Sequence, residues 1–309
     1  MSSAPDSTRM PYELSDEEIQ LYVSPLLDLG NYKPRNQSWV QRWALANSRL
    51  MEYDGREPVL VNGYRPPLDI QTILRARFSP DVNGLMPKLH GDFSVRDTHF
   101  IVTAVPAGEP IDNSDDLPKL AMALLELDKT FRDEWGDKPL PEGIAKTNLD
   151  LKPLEKLADG KTSVDSERVA EIIDVLADFP LEKLTEYPTG LIHGDPGVDN
   201  AFLSDDGVVF TGGPGEVGPD IVDLAYLMQS ASATIEDFDP EPTLKTLAEH
   251  YGKTIEEFGY DMLVADITAH INIIGWFYRC SHEFLRDYDD LYDHLIQERI
   301  GALASVLGI

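Results

Sequence analysis

The chain has 309 residues, of which 42% are hydrophobic and 26% are charged, so its composition is that of a folded protein of about two domains rather than a disordered chain. Its 26 basic and 55 acidic residues give a formal net charge of −29, which disfavours nucleic acid and anionic membranes as partners because both repel a negative surface. The chain begins without a basic and apolar signal segment, and no apolar stretch approaches the roughly 20 residues of a membrane-spanning helix, so we predict a cytoplasmic protein.

Local signals in the first hundred residues predict a small lobe of mixed helices and strands. Ser15 and Glu18 have the spacing of a capping box, which begins a helix because each side chain satisfies a backbone N–H group. The pair Asp54-Gly55 separates two apolar runs, as in the tight turn of a β-hairpin. The predicted elements are a helix from Ser15 to about Leu29, strands on both sides of Asp54-Gly55, a helix over 68–78, and strands over 84–90 and 98–105.

A run rich in proline and glycine at 106–110 is the predicted boundary between two lobes. Residues 1–106 are expected to form a sheet-rich N-terminal lobe, and residues 107–309 a larger, mainly helical lobe. Apolar residues recur at helical spacing in the second lobe, which predicts helices over 117–131, 169–176, 241–251, 260–284 and 288–307.

Residues 188–225 interrupt this helical pattern with a polar segment on short strands. A strand precedes a polar loop, and Asp206-Gly207 then turns a hairpin between strands at 201–203 and 208–210. A loop of glycine and proline follows, and a helix begins near Ile221. Because polar connections between short strands often carry functional groups, this segment is the candidate site.

Within that segment, His193, Asp195 and Asn200 form the pattern H-G-D-x-x-x-x-N. In phosphoryl transfer, an aspartate orients the attacking hydroxyl group and accepts its proton, and an asparagine a few residues later provides an oxygen ligand to Mg²⁺. The metal neutralises the nucleotide phosphates while the γ-phosphoryl group moves. A second H-G-D, at 90–92, is interpreted as a turn because no asparagine, hairpin or D-L-A sequence follows it.

The segment 191–200, the hairpin after it and Asp223-Leu224-Ala225 resemble the aminoglycoside phosphotransferase and choline kinase family. The run 103–110 is similar to the family's link between lobes, and 124–128 lies where members carry L-A-x-L-H. The resemblance implies an α+β, protein-kinase-like two-lobed fold whose catalytic loop lies in 191–225. It also implies ATP or GTP and Mg²⁺ as cofactors, and a small-molecule hydroxyl compound as the acceptor.

By the same resemblance, Asp195 is the catalytic base, Asn200 is a metal ligand and His193 shapes the loop. The position of the second metal ligand departs from the family pattern. An alignment without gaps back from Asp223 places Thr211 where the family has its metal-binding aspartate. A hydroxyl group is a weaker Mg²⁺ ligand than a carboxylate, so the missing charge must come from elsewhere if the metal is used.

The predicted third strand also lacks the lysine or arginine with which the family contacts phosphate. Arg65 or Lys88 is the expected replacement for nucleotide binding. On the helix that follows, Gln71 or Asp69 would take the place of the family's glutamate.

Two carboxylates, Glu216 and Asp220, are the expected replacements for the missing metal ligand. Glu216 lies in a short glycine-rich loop that can bend toward Asn200, and Asp220 precedes the next helix. Asp220 has a second interpretation, as the N-cap of the helix that begins at Ile221.

Two functions from different classes remain open on these residues. The leading one is transfer of a nucleotide γ-phosphoryl group to a hydroxyl group of a small molecule. The alternative is a catalytically degenerate kinase-like protein that acts by binding a ligand or a partner, since several nucleotide-handling positions are missing. A third and weaker option is a tailoring enzyme that modifies a hydroxyl group of a peptide or natural product. An acidic pocket would suit a cationic acceptor such as an aminoglycoside or choline.

Overall fold

A five-stranded antiparallel sheet dominates the N-terminal part of the computed structural model. The structure describes residues 12–29, 33–43, 46–66, 68–79, 81–159, 164–281 and 289–309. The strands of this sheet are β1 (Asn36–Trp43), β2 (Ala46–Glu52), β3 (Val59–Tyr64), β4 (Leu89–Val95) and β5 (Thr98–Ala104), in the order β1-β2-β3-β5-β4. The hairpin predicted at Asp54-Gly55 is confirmed, because Met51 of β2 pairs with Val59 of β3 across that turn.

Helix α1 (Asp16–Leu26) packs against this sheet. The Glu18 backbone N–H group donates to the Ser15 hydroxyl group, and the Ser15 N–H group donates to the Glu18 carboxylate, so the predicted capping box is confirmed. The helix ends before the predicted Leu29. Its apolar face is buried in a cluster with the sheet, which includes Ile19, Val23, Val61, Phe100 and Val102. This burial stabilises a helix that is short for an isolated one.

The fourth strand lies later in the chain than predicted. Residues 84–88 form turns and irregular chain, and β4 begins at Leu89 rather than at residue 84. The interpretation of 90–92 as a turn is wrong, since Gly91 and Asp92 pair with β5 and the register shifts at the residue before them. The chain turns instead at Arg96-Asp97, where Arg96 has a φ of 54°. Pairing along β5 therefore outweighs the local preference of a glycine for a turn.

Helices form most of the C-terminal part, and their buried faces share one large apolar cluster. They are α3 (Leu117–Trp135), α4 (Lys152–Ala158), α5 (Ser166–Leu176), α6 (Asp220–Thr234), α7 (Glu241–Tyr251), α8 (Ile255–Arg279) and α9 (Asp289–Leu307), while the shorter α2 (Asp69–Arg75) follows β3 where a helix was predicted. Helix α8 begins before residue 260 because Thr254 and Glu257 form a capping box. Residues 282–288, on which two predicted helix ends fall, lie outside the described residues. None of the helices in the described ranges is long and apolar enough to cross a membrane.

Two small sheets support the candidate site. Their strands are β6 (Glu109–Pro110), β7 (Ala145–Lys146), β8 (Thr189–Ile192), β9 (Ala201–Ser204), β10 (Gly207–Phe210) and β11 (Glu216–Pro219), in the orders β10-β9-β6 and β7-β11-β8. The hairpin predicted at Asp206-Gly207 is confirmed. The sequence did not predict β11, because its glycine and proline residues are typical of a loop and only pairing with β8 makes them a strand. The α+β class, with a small sheet and a larger helical part, is confirmed.

Gly108→Ala should destabilise the fold by about 2 kcal/mol or more. Gly108 has a φ of +95°, and an added Cβ would lie 2.2 Å from the carbonyl oxygen of Leu203 in β9. Urea unfolding measures the loss. Gly84→Ala is the matched control, because Gly84 has a φ of +80° but open space around its Cα. Equal stability of the two variants would contradict the close approach of the chain to β9.

Candidate active site

A cleft of about 1100 Å³ lies between the five-stranded sheet and the helical part. Side chains of β3 and β5 line it on one side, and the segment from Gly194 to Gly215 lines it on the other with residues of α6, α8 and α9. The H-G-D-x-x-x-x-N segment thus faces a cavity large enough for a nucleotide-sized ligand and a second small molecule.

His193 is fully buried and fixes the shape of the loop. The Asp195 backbone N–H group donates to His193 Nδ1 over 3.2 Å, so the proton of the neutral ring lies on Nε2, which donates to the Thr211 carbonyl oxygen over 2.8 Å. Burial lowers the pKa of His193 to about 4, and the ring is therefore neutral at physiological pH. Gly213 packs against this ring, where an added Cβ would lie 2.9 Å from His193 Cδ2. These contacts give His193 the geometry of a loop-shaping residue.

Two buried carboxyl groups hold the backbone of the same loop. The His193 N–H group donates to Asp128 Oδ1 over 3.0 Å, and the Gly194 N–H group donates to both oxygens of Asp223 at 3.1 Å. Burial raises the pKa of Asp128 and of Asp223 well above the usual value. Sequence reasoning missed the role of Asp128, although a lone carboxyl group on the apolar face of α3 was a usable signal.

Asp195 directs its carboxyl group into the cleft. Asn200 Nδ2 donates to the Asp195 carbonyl oxygen over 2.9 Å and to Asp195 Oδ2 over 3.2 Å, which fixes the side chain. The walls of the cleft exclude much of the surrounding water even though the side chain itself is exposed there. This partial burial raises the pKa of Asp195 to about 7, with a further increase from the charge of Asp199. A carboxyl group of that pKa can accept a proton from a hydroxyl group and release it again near neutral pH.

Thr211, which the alignment without gaps places at the family's metal-binding position, lies beside Asn200. Its backbone N–H group donates to the Asn200 carbonyl oxygen over 2.8 Å, and its hydroxyl group lies 3.4 Å from Asn200 Oδ1. Two neutral oxygens, Asn200 Oδ1 and Thr211 Oγ1, are therefore the side-chain atoms that would be offered to a divalent cation here, and Asp199 lines the same cleft. No cluster of three potential metal-binding His, Cys, Asp or Glu side chains occurs in the part of the chain that the structure describes. These oxygen ligands fit a hard cation whose remaining ligands would be phosphate oxygens and water. They supply less negative charge to the cation than a pair of carboxylates would.

The two expected replacement carboxylates have different positions. Glu216 lines the cleft, but its Oε1 accepts a hydrogen bond from Thr147 Oγ1 at 2.6 Å, and burial raises the pKa of Glu216 to about 7. Asp220 accepts hydrogen bonds from Arg132 Nη2 at 3.2 Å and from the Tyr251 hydroxyl group at 3.0 Å, and it is not among the described residues of the cleft. The structure therefore brings Glu216, but not Asp220, to the cleft.

The N-cap interpretation of Asp220 is wrong. Pro219 occupies the N-cap position of α6 and makes no side-chain cap hydrogen bond. Asp220 is the first residue of the helix, and its buried carboxylate is held by the arginine and tyrosine named above. The pairing across α3 and α7 thus takes the place of a local cap.

The two cations expected to contact phosphate lie away from the cleft. Arg65 is buried and pairs with Asp97 Oδ2 at 2.9 Å, while Lys88 is exposed, and neither is among the described residues that line the cleft. The side chains of β3 and α2 that do line it include the neutral amides Asn62 and Gln71. On the sheet side of the cleft, amides thus occupy the region where the family pattern has a phosphate-binding cation and a glutamate.

Arg75 is a cation at the edge of the cleft that the sequence did not single out. Its guanidinium group donates to the carbonyl oxygens of Ser79 and Pro87 at 3.0 and 3.1 Å, and burial lowers its pKa to about 10. These bonds tie α2 to the chain before β4. Arg75 therefore supports the wall of the cleft.

The fold is similar to solved structures of small-molecule kinases. No protein-family model and no curated protein matches the sequence. The GDP complex of wild-type aminoglycoside 2′-phosphotransferase-IIIa matches with a TM-score of 0.63 and 13% identity, over 96% of this chain and 99% of that chain. The ethanolamine kinase of Plasmodium vivax matches with a TM-score of 0.60 and 13% identity, over 95% and 90% of the two chains. A choline/ethanolamine kinase family protein of Mesorhizobium loti matches with a TM-score of 0.60 and 12% identity, over 93% and 94%. The protein-kinase-like fold implied by the catalytic-loop motif is therefore confirmed.

Proposed function

We propose that the protein is a phosphotransferase that moves the γ-phosphoryl group of ATP or GTP to a hydroxyl group of a small molecule. One observation carries this proposal: Asp195 opens into the cleft from a loop that His193, Asp128 and Asp223 hold rigidly. A degenerate loop has no need for an exposed carboxyl group at that position, since the contacts that fix the loop use its backbone. The similarity in fold to known small-molecule kinases supports the same reaction class.

In the proposed reaction, Asp195 accepts the proton of the acceptor hydroxyl group as its oxygen forms a bond to the γ-phosphorus. The bond between that phosphorus and the bridging oxygen breaks at the same time, and the nucleoside diphosphate leaves with the electron pair. Because the pKa of Asp195 is about 7, a substantial fraction of the carboxyl groups is ionised at neutral pH and able to accept the proton. Asn200 keeps the carboxyl group oriented through its amide N–H group.

Asn200 Oδ1 and Thr211 Oγ1 are the atoms that would hold Mg²⁺ together with the nucleotide phosphates. The metal supplies neutralisation of phosphate charge when it is bound. Since neither atom carries a charge, the affinity for the metal–nucleotide complex should be lower than with an aspartate at residue 211.

A second function, ligand binding without phosphoryl transfer, is favoured by the same substitution. Thr211 offers no carboxylate, and Asn62 and Gln71 offer neutral amides on the sheet side of the cleft. Under this function the cleft would bind a ligand, but Mg²⁺ would not change its affinity for nucleotide.

Thr211→Asp separates the two functions. If the site handles a metal–nucleotide complex, the new carboxylate beside Asn200 Oδ1 should strengthen Mg²⁺-dependent ATP binding by about tenfold, since hydrogen bonds and contacts to charged groups exceed neutral ones by more than 1 kcal/mol. Isothermal titration calorimetry with and without EDTA measures the effect. Thr211→Asn is the matched control, with the same shape as the aspartate and no charge. Binding-only function predicts that the two variants do not differ.

A further inference from the structure

The charge inside the cleft differs from the charge of the whole chain. Acidic residues outnumber basic ones 55 to 26 in the sequence. Among the described residues that line the cleft, basic side chains instead outnumber acidic ones, with Arg75, Lys146, Arg279 and Arg299 against Asp195, Asp199 and Glu216. Arg75 is buried and bound to two carbonyl oxygens, so the charges that face the cleft are nearly balanced, whereas the chain as a whole is strongly acidic.

Arg279, the last residue of α8, is one of the two arginines on the helical side of the cleft. Its guanidinium group lies 5.3 Å from the ring centre of Trp276, and its positive charge acts on Glu216, which also lines the cleft. Within the described ranges of the chain, this arginine contacts the Trp276 ring and forms no ion pair. The guanidinium group therefore lies over the Trp276 ring, one of the aromatic surfaces of the cleft that a quaternary ammonium group could use for a cation–π contact.

Arg299 of α9 is the second arginine. Its Nη1 donates to Gln229 Oε1 over 3.3 Å, and no carboxylate in the described part of the chain lies within ion-pair distance of it. Gln229 also lines the cleft, and its neighbour Ser230 accepts a hydrogen bond from the Val198 N–H group at 3.0 Å, so this arginine lies near the loop that carries Asp195. Both arginines are half-buried, so water screens their charge only in part.

We propose that the acceptor is an anionic alcohol, a hydroxyl compound that also carries a carboxylate or phosphate group, and that Arg279 and Arg299 bind this group. The proposal rests on the proposed phosphotransferase function. Planar guanidinium groups that form no ion pair with a carboxylate of the described residues match the geometry of carboxylate and phosphate oxygens. They also repel an amine or a quaternary ammonium group, so the cleft does not suit the cationic acceptor that an acidic pocket was expected to take.

The experiment compares binding of three matched sets of compounds by isothermal titration calorimetry. The probes are a panel of hydroxy acids and phosphorylated alcohols, the corresponding neutral alcohols, and the corresponding amino alcohols with choline. They are titrated into the wild-type protein, the double variant Arg279→Gln/Arg299→Gln, and the control Arg168→Gln, whose arginine pairs with Glu171 on the surface. Nucleotide binding is measured for the same three proteins.

The tightest ligand of the wild-type panel is expected to be anionic, and the double variant should bind it about tenfold more weakly or worse. Nucleotide affinity and the binding by the control should not change. The proposal is overturned if an amino alcohol or a neutral alcohol binds most tightly, if no anionic member binds, or if the double variant loses nucleotide affinity as strongly as acceptor affinity. If the protein binds the anionic alcohol through these arginines but does not transfer phosphate, the anion site is supported and only the proposed reaction is contradicted.

Discussion

Asp195→Asn should lower kcat for phosphoryl transfer by at least about 10²-fold, the scale expected when a general base is lost. The amide has the shape of the carboxyl group and can keep a hydrogen bond with Asn200 Nδ2, but it cannot accept a proton. Nucleotide affinity should change little, because the contacts of Asn200 and Thr211 with each other remain. A coupled assay of nucleoside diphosphate release, with Asp205→Asn of the exposed hairpin turn as the control, measures the effect. Unchanged turnover would remove Asp195 from the mechanism.

The pH dependence of kcat is expected to follow the protonation of the same residue. Because partial burial and the charge of Asp199 raise the pKa of Asp195 to about 7, the reactive carboxylate forms only as the pH rises through neutrality. The wild-type kcat should therefore increase with pH over about one unit on each side of 7. Asp199→Asn removes a negative neighbour and lowers the pKa of Asp195, so the increase should move to lower pH. If Asp199→Asn does not shift the dependence of kcat on pH, a group other than Asp195 controls it.

Asp261→Ala should reduce the free energy of unfolding by about 3 kcal/mol. The carboxylate of Asp261 is buried in α8, where it contacts the ammonium groups of Lys183 and Lys253 and accepts a hydrogen bond from the Tyr187 hydroxyl group at 2.6 Å. Removing it leaves two ammonium groups beside each other without a counter-charge. We take the lower end of the range for a broken buried pair, because the two lysine side chains are 31% and 28% exposed and water screens them in part.

The pH dependence of stability provides a second test of this network. Burial alone would raise the pKa of Asp261, but the hydrogen bonds from Lys183, Lys253 and Tyr187 outweigh it and hold that pKa below the usual value. A lowered pKa contributes stability above the unfolded value of about 4, and this stability is lost as the pH falls through the folded value. When the pH is lowered from neutral into the acid range, urea unfolding should therefore show a smaller decrease in the free energy of unfolding for Asp261→Ala than for the wild type. Asp178→Ala, at an exposed position, should change stability by less than about 0.5 kcal/mol, and an equal effect of both variants would contradict the network.

Elements with local signals could be predicted from the sequence. The capping box at Ser15, the turns at Asp54-Gly55 and Asp206-Gly207 and the apolar spacing of α7 each depend on residues close in the chain, and the structure confirms them. Strand β11 could not be predicted, since Glu216 and its neighbours become a strand only by pairing with β8 and β7. The same holds for β4, whose bounds depend on its register with β5.

In the candidate site too, residues placed by the local sequence could be predicted, and residues placed by long-range packing could not. The H-G-D-x-x-x-x-N spacing places Asp195 and Asn200 together because both lie on one short loop. The position of Arg65 could not be read from its place near the end of β3, because its pairing with Asp97 depends on the hairpin of β4 and β5. Arg279 and Arg299, which are proposed to bind the acceptor, are 20 positions apart in the sequence, and only the packing of α8 against α9 brings both to the cleft.

Nucleotide binding with and without Mg²⁺ tests the central claim most directly. Calorimetric titration of ATP and of GTP into the wild-type protein should show binding by at least one of them that EDTA weakens, followed by Asp195-dependent release of the diphosphate when an acceptor is present. Binding that requires Mg²⁺ is the result predicted for a cleft in which Asn200 and Thr211 hold the metal–phosphate complex. If neither nucleotide binds in an Mg²⁺-dependent way, phosphoryl transfer is excluded and the cleft serves ligand binding alone.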